Sequence, residues 1–171
     1  MDVTIQLTFF EDSSAQERTR MDANKDGKVS RDEIESYLKD IETNSGKAVK
    51  LRVGGKTVEL DGLYAPQLDL LGNDRVQRNH HQLTLHFFAP TPPHLSVGAE
   101  LVVEDRLWPE FRALGAVQAE GRDGCRLEAV QFSDPVFVPA QDSEARQFKA
   151  RILAPPVVST APTNSPSPPK L

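Results

Sequence analysis

Strict alternation of apolar and polar side chains runs through the two longest patterned segments of the chain. These are Val3-Thr4-Ile5-Gln6-Leu7-Thr8-Phe9 and Gln82-Leu83-Thr84-Leu85-His86-Phe87. A period of two gives a pleated strand one apolar and one polar face, so each run must lay its apolar face on another layer. Shorter runs of the same kind cover 49–53, 57–60, 67–71, 100–104, 116–119, 126–132 and 148–153. Turn signals separate them: Gly54-Gly55, Asp61-Gly62, Gly72-Asn73-Asp74 and Asp123-Gly124. Glycine reaches positive φ without steric cost, so Val53-Gly54-Gly55-Lys56 predicts a two-residue hairpin. Seven to nine short strands at this spacing predict a mainly β fold of the α+β type, a β-sandwich-like domain or else an open barrel. Two helical stretches interrupt it, a shorter, weaker one at 13–21 and a clear one at 32–43.

The chain has 171 residues, room for one domain and a small appendage. The expected domain is 1–153. The remaining 154–171 carries six of the thirteen prolines among Ser, Thr and Asn, and it predicts a disordered linker or tail. The net charge is −5, and most of it lies between Glu11 and Glu42, where ten acidic side chains face six basic ones. An acidic chain lacks the clustered Lys and Arg that neutralise phosphates, which argues against a nucleic-acid partner. No apolar run is long enough for a membrane helix, and the first residues alternate rather than form a secretory signal. The single cysteine, Cys125, excludes an internal disulfide.

The acidic stretch contains Asp22-Ala23-Asn24-Lys25-Asp26-Gly27-Lys28-Val29-Ser30-Arg31-Asp32-Glu33. Asp22, Asn24 and Asp26 offer side-chain oxygens at alternate positions 1, 3 and 5. Gly27 permits the positive φ that turns the chain. Lys28 offers its backbone carbonyl, Ser30 a hydroxyl or a bound water, and Glu33 both carboxylate oxygens. Oxygen donors at this spacing suit a hard cation of flexible coordination, calcium rather than magnesium. Carboxylates about 5 Å apart at an effective dielectric near 20 repel by roughly 3 kcal/mol, which a divalent ion offsets. Ser30 with Glu33 is also a capping-box pattern that starts a helix whose apolar face is Ile34, Tyr37, Leu38 and Ile41.

On these residues the segment 13–43 resembles the EF-hand family of calcium-binding helix-loop-helix units. The resemblance implies a calcium ion held by Asp22, Asn24, Asp26, Lys28, Ser30 and Glu33, with Val29 in the apolar contact behind the loop. EF-hands usually occur in pairs that share a short β-bridge at position 8, and no second loop is present in this sequence. An unpaired hand is expected to lean on the β-domain or a second copy, or to bind more weakly. The entering helix, with Met21 and few other apolar residues, is expected to pack slightly. Two methionines in the whole chain leave no Met-rich groove, so the loop reads as a clamp between strands rather than a switch.

A looser resemblance covers the order of elements over 1–153. A first strand, an Asp-rich EF-type loop, a Gly-Gly-Lys hairpin and a Leu-Thr-Leu-His-Phe-Phe strand are similar to bacterial extracytoplasmic domains that accompany nickel-type metal permeases. This resemblance implies an extracytoplasmic location, with a protein or membrane component as partner. It also implies that both ends of the chain are trimmed.

His80, His81 and His86, with His94 beyond, are the other candidate ligands, since imidazole binds nickel, zinc or copper. Alternation places His86 on the polar face with Thr84 and Gln82, and turns His80 and His81 to opposite faces. Solvated histidines at a strand entrance are the plainer reading. Cys125 has no partner spacing and reads as a small, semi-buried residue. Trp108 reads as a core or edge anchor. No GxSxG, P-loop or GxGxxG pattern occurs, and no enzymatic site is indicated.

Overall fold

A computed structural model describes residues 1–61, 63–90, 95–109, 111, 120, 124–133 and 145–154. The expected strand at 116–119, His94 and all of the Pro-rich tail but Ala154 lie outside the described residues.

The fold is mainly β with two helices. Among the described residues, eight strands and the helices follow in the order β1 (Asp2–Phe9), α1 (Glu11–Met21), α2 (Arg31–Ala48), β2 (Val49–Val53), β3 (Lys56–Val58), β4 (Leu63–Asp69), β5 (His81–Phe88), β6 (Glu100–Asp105), β7 (Arg126–Ser133) and β8 (Arg146–Ala154). They form two antiparallel sheets, β1-β5-β4 and β3-β2-β6-β8-β7. The two alternating runs recognised in the sequence are neighbours in the smaller sheet, with Ile5 opposite Leu85 and Leu7 opposite Leu83. Leu83 and Leu85 are fully buried, as is Ile152 of the larger sheet. One apolar core joins Ile5, Phe9, Leu83, Leu85 and Phe87 of the small sheet to Val49 of the large one, and Ile41 of α2 seals it. This layering is the expected sandwich-like arrangement with a helical insertion. Trp108 packs edge-on against Phe9 at 5.3 Å between ring centroids, as an anchor of this core.

The Gly54-Gly55 hairpin forms as expected, with both glycines at positive φ and Val53 paired with Lys56. Two elements differ from expectation by more than two residues at an end. β4 lies four residues earlier at its start and ends at Asp69, because Leu71 adopts φ 53° in a turn whose N–H donates to Asp69 Oδ1. Pro66 is accommodated at a register shift between Tyr64 and Gln67, where a missing N–H costs the ladder nothing. α2 runs five residues further than 43 and passes directly into β2, with the Val49 N–H bonded to Ser45 O. Buried Ile41, Ser45 and Val49 carry the inward stripe through this polar segment.

α1 also packs differently from expectation. Its apolar contribution is indeed one residue, Met21, yet Ser14, Glu17 and Arg18 are completely buried beside it. These positions follow the i, i+3, i+4, i+7 spacing of an inward helical face, written here in polar residues. Glu17 accepts a hydrogen bond from Tyr37 Oη at 2.6 Å and another from Arg20, which ties α1 to α2. Burial and the adjacent Glu17 charge push the Tyr37 hydroxyl pKa far up, so it remains a donor.

Candidate metal centre

α1 ends at Met21 and α2 begins at Arg31, so residues 22–30 form the connection in which the acidic motif sits. Local chemistry folds this connection. Asp22 accepts from the Asp26 N–H at 3.1 Å and from the Gly27 N–H at 2.9 Å. Asn24 Oδ1 accepts from Asp26 N–H at 2.8 Å, and Asp26 Oδ1 from Lys28 N–H at 2.9 Å. Asp and Asn side chains bonding the backbone two residues on are Asx turns, and two in succession coil the chain. Gly27 sits at φ 83°, a conformation that strains any residue with a Cβ.

Glu33 closes the far end. Its Oε1 accepts from Asn24 N–H at 3.2 Å, and its Oε2 accepts from Ser30 N–H and Ser30 Oγ–H, both at 2.8 Å. The Ser30 backbone and hydroxyl, with the Asn24 N–H, hold the Glu33 carboxyl below the usual carboxylate range. It is therefore ionised at neutral pH, as a cation ligand must be. The reciprocal bond from Glu33 N–H to Ser30 Oγ, at 3.4 Å, completes the capping box at the start of α2. Ser30→Ala is accordingly expected to cost about 1 kcal/mol of stability, measured by urea denaturation. An unchanged midpoint would remove the cap from the account.

The donors are all oxygen: three carboxylates, the Asn24 amide, the Ser30 hydroxyl and the Lys28 carbonyl. That composition fits a hard cation such as calcium and excludes a soft thiolate or imidazole site. Among the described residues no three His, Cys, Asp or Glu side chains stand together as a ready metal cage. Asp22, Asp26 and Glu33 instead direct oxygens to N–H groups of the loop itself.

The loop does not stand alone. Val29 N–H donates to Asp74 O at 2.7 Å, and Val76 N–H donates to Gly27 O at 3.0 Å. These two bonds flank an antiparallel bridge between Lys28 and Arg75. The connection from β4 to β5 thus backs Gly27, Lys28 and Val29 with strand-like pairing. Val29 is buried behind the loop at 3% exposure, as its position implied.

A residue that the sequence did not single out holds that connection. The Arg18 guanidinium donates to five backbone carbonyls: Nη1 to Asn73 and Arg75, Nη2 to Leu70 and His80, and Nε to Asn79, at 2.5–3.2 Å. Burial lowers its pKa, while Asp74 opposes that shift. Nothing in a lone Arg on a polar helix distinguishes it from a solvated one. The only hint is its i, i+4 relation to Ser14, which also bonds Asn79 O.

The described histidines, His80, His81 and His86, do not converge on one site. His81 belongs to the core face with Leu83, Leu85 and Phe87, is fully buried, and stacks on Phe9 at 4.6 Å. The expectation of a solvated residue fails for it, because strand β5 begins at His81 and alternation then turns the ring inward. Its Nδ1 lies 2.7 Å from Ser14 Oγ, and its Nε2 has no hydrogen-bond partner among the described residues. Burial, followed by the Arg18 charge, pushes its pKa down to about 4, so the ring is neutral. His80 is exposed, and His86 lies on the opposite, polar face with Nδ1 3.1 Å from Thr4 Oγ1. Cys125 is half-buried, as expected.

The chain matches no protein-family profile, no curated protein and no solved structure. No helix among the described residues is long and apolar enough to cross a membrane.

Proposed function

We propose that this chain is a non-enzymatic β-domain that binds one calcium ion through the loop from Asp22 to Glu33, as an EF-hand. The ion serves a structural role, or one in presenting the domain to a protein or membrane component. The observation that supports this reading most is the coiled loop itself. Successive Asx turns at Asn24 and Asp26, a left-handed Gly27 and an ionised Glu33 reaching back to Asn24 order an all-oxygen donor set over twelve residues. In the filled site Asp22, Asn24, Asp26, Ser30 and Glu33 would turn side-chain oxygens to the ion, and Lys28 its carbonyl. Calcium would then neutralise three carboxylates that otherwise repel one another.

Without a second loop in this sequence the affinity is expected in the weak extracellular range, about 10⁻⁴ to 10⁻³ M. Calorimetric titration with calcium is expected to give a single site in that range, and Glu33→Gln to abolish the heat. Calcium at about a hundred times the dissociation constant should add roughly 2.7 kcal/mol of stability. A wild-type chain that shows neither heat nor a rise in melting temperature refutes the reading. The alternative, an accessory domain of nickel-type transport, would have to use His80, His81 and His86 although His81 is buried and His86 lies on the opposite face; it predicts nickel binding that survives Glu33→Gln and is lost in the His80→Ala, His81→Ala double variant.

A further inference from the structure

We infer that Arg18 is a positioning residue for the calcium loop: by gripping the β4–β5 connection it makes that segment a substitute for the missing second hand. This inference rests on the calcium reading and adds to it the element that sets the loop's affinity.

The argument follows the hydrogen bonds. Gly27, Lys28 and Val29 form the middle of the loop, and their only described backbone partners outside it are Asp74, Arg75 and Val76. Residues 70–80 contain no helix and no strand of their own, and one tight turn centred on Leu71 and Gly72 precedes the bridging residues. The bonds from Asn73 N–H to Leu70 O and from Arg75 N–H to Asn73 Oδ1 are local and shape only its first half. Arg18 provides what is missing. Its planar fork reaches carbonyls at Leu70, Asn73, Arg75, Asn79 and His80, so it grips the connection before, within and after the bridge. Arg18 also lies on α1, four residues before the first ligand, Asp22. One side chain therefore fixes both the helix that delivers the first ligand and the segment that backs positions 6 to 8. No atom of it needs to touch the ion.

The bridge is what a purely structural role would not single out. Amide hydrogen exchange of the calcium-free chain, read at Val29 and Val76, measures it directly. Arg18→Lys keeps the charge but cannot reproduce the fork. It is expected to speed exchange at Val29 and Val76 about tenfold or more beyond any change at the amides of β6 and β8. The same variant is expected to weaken calcium binding by about tenfold, which is about 1.4 kcal/mol. Val76→Pro, which removes one bridging donor and leaves Arg18 in place, should weaken calcium to a similar degree. This second variant decides the role of the bridge should Arg18→Lys not fold. Exchange at Val29 and Val76 that is unchanged, or that rises in step with β6 and β8, overturns the inference. So does wild-type calcium affinity retained in both variants. A wild-type chain that binds no calcium overturns the function proposed above, and the exchange measurement alone then decides whether Arg18 holds the bridge.

Discussion

Arg18→Met is expected to lower the unfolding free energy by at least about 3 kcal/mol, since hydrogen bonds from a charged group contribute about 1.5–3 kcal/mol each and several are lost together. Methionine keeps much of the apolar stem, so the loss reports the guanidinium rather than a cavity. Five carbonyls of the β4–β5 connection would lose a donor in a place where Arg18 itself is 0% exposed. Water can rehydrate those carbonyls only if the connection lifts away from α1, which is itself a loss of structure. The internal control is Arg31, whose side chain is 89% exposed and pairs with Glu35 one helical turn on. Arg31→Met should stay within about 0.5 kcal/mol. Urea denaturation of the two variants at one pH makes the comparison, and equal costs would contradict the anchoring role.

Acid is expected to destabilise the fold through His81 before the carboxylates respond. In the unfolded chain this histidine titrates near 6.5; in the fold, burial and Arg18 press it to about 4. A base with a depressed pKa refuses in the native state a proton that the unfolded state accepts. Its burial therefore carries no proton penalty above pH 6.5, and stability falls as pH drops from about 6.5 to about 4, by roughly 2–3 kcal/mol. Glu33, whose pKa is also depressed, loses its contribution only as pH falls below the ordinary carboxylate range, so the two windows are separable. His81→Phe keeps a ring against Phe9 and removes the titration. Its stability should be nearly flat between pH 6.5 and 4.5, where wild type slopes. Parallel slopes in the two proteins would refute the assignment to His81.

Both expectations concern residues whose burial is not signalled in the linear chain. The helix α1 reads as weak because hydrophobic periodicity is the principal evidence for a packed helix. Its inward face keeps the period but is built from Ser14, Glu17, Arg18 and Met21, three of them polar. A buried Arg is tolerated only where enough acceptors converge on it, and those acceptors come from residues more than fifty positions later. His81 was misread for a related reason: whether the alternating run begins at His81 or Gln82 is settled by pairing, since His81 lies opposite Phe9.

The strand pattern, by contrast, was open to reading because its causes are local. A period-two run needs only its own residues to define two faces, and Gly54-Gly55 needs only its own freedom of φ to make a hairpin. The capping box at Ser30 and Glu33 and the Asx turns of the loop likewise span a few residues each, and all of them form in the fold. The sequence by itself thus determined the mainly β fold, the hairpin and the oxygen-rich loop, because short-range sterics and hydrogen bonds are written in neighbouring residues. Only the tertiary structure decided what backs the loop. The bridge from Lys28 to Arg75 and the grip of Arg18 join segments whose nearness depends on the whole chain having folded, and backbone carbonyls look the same in every sequence.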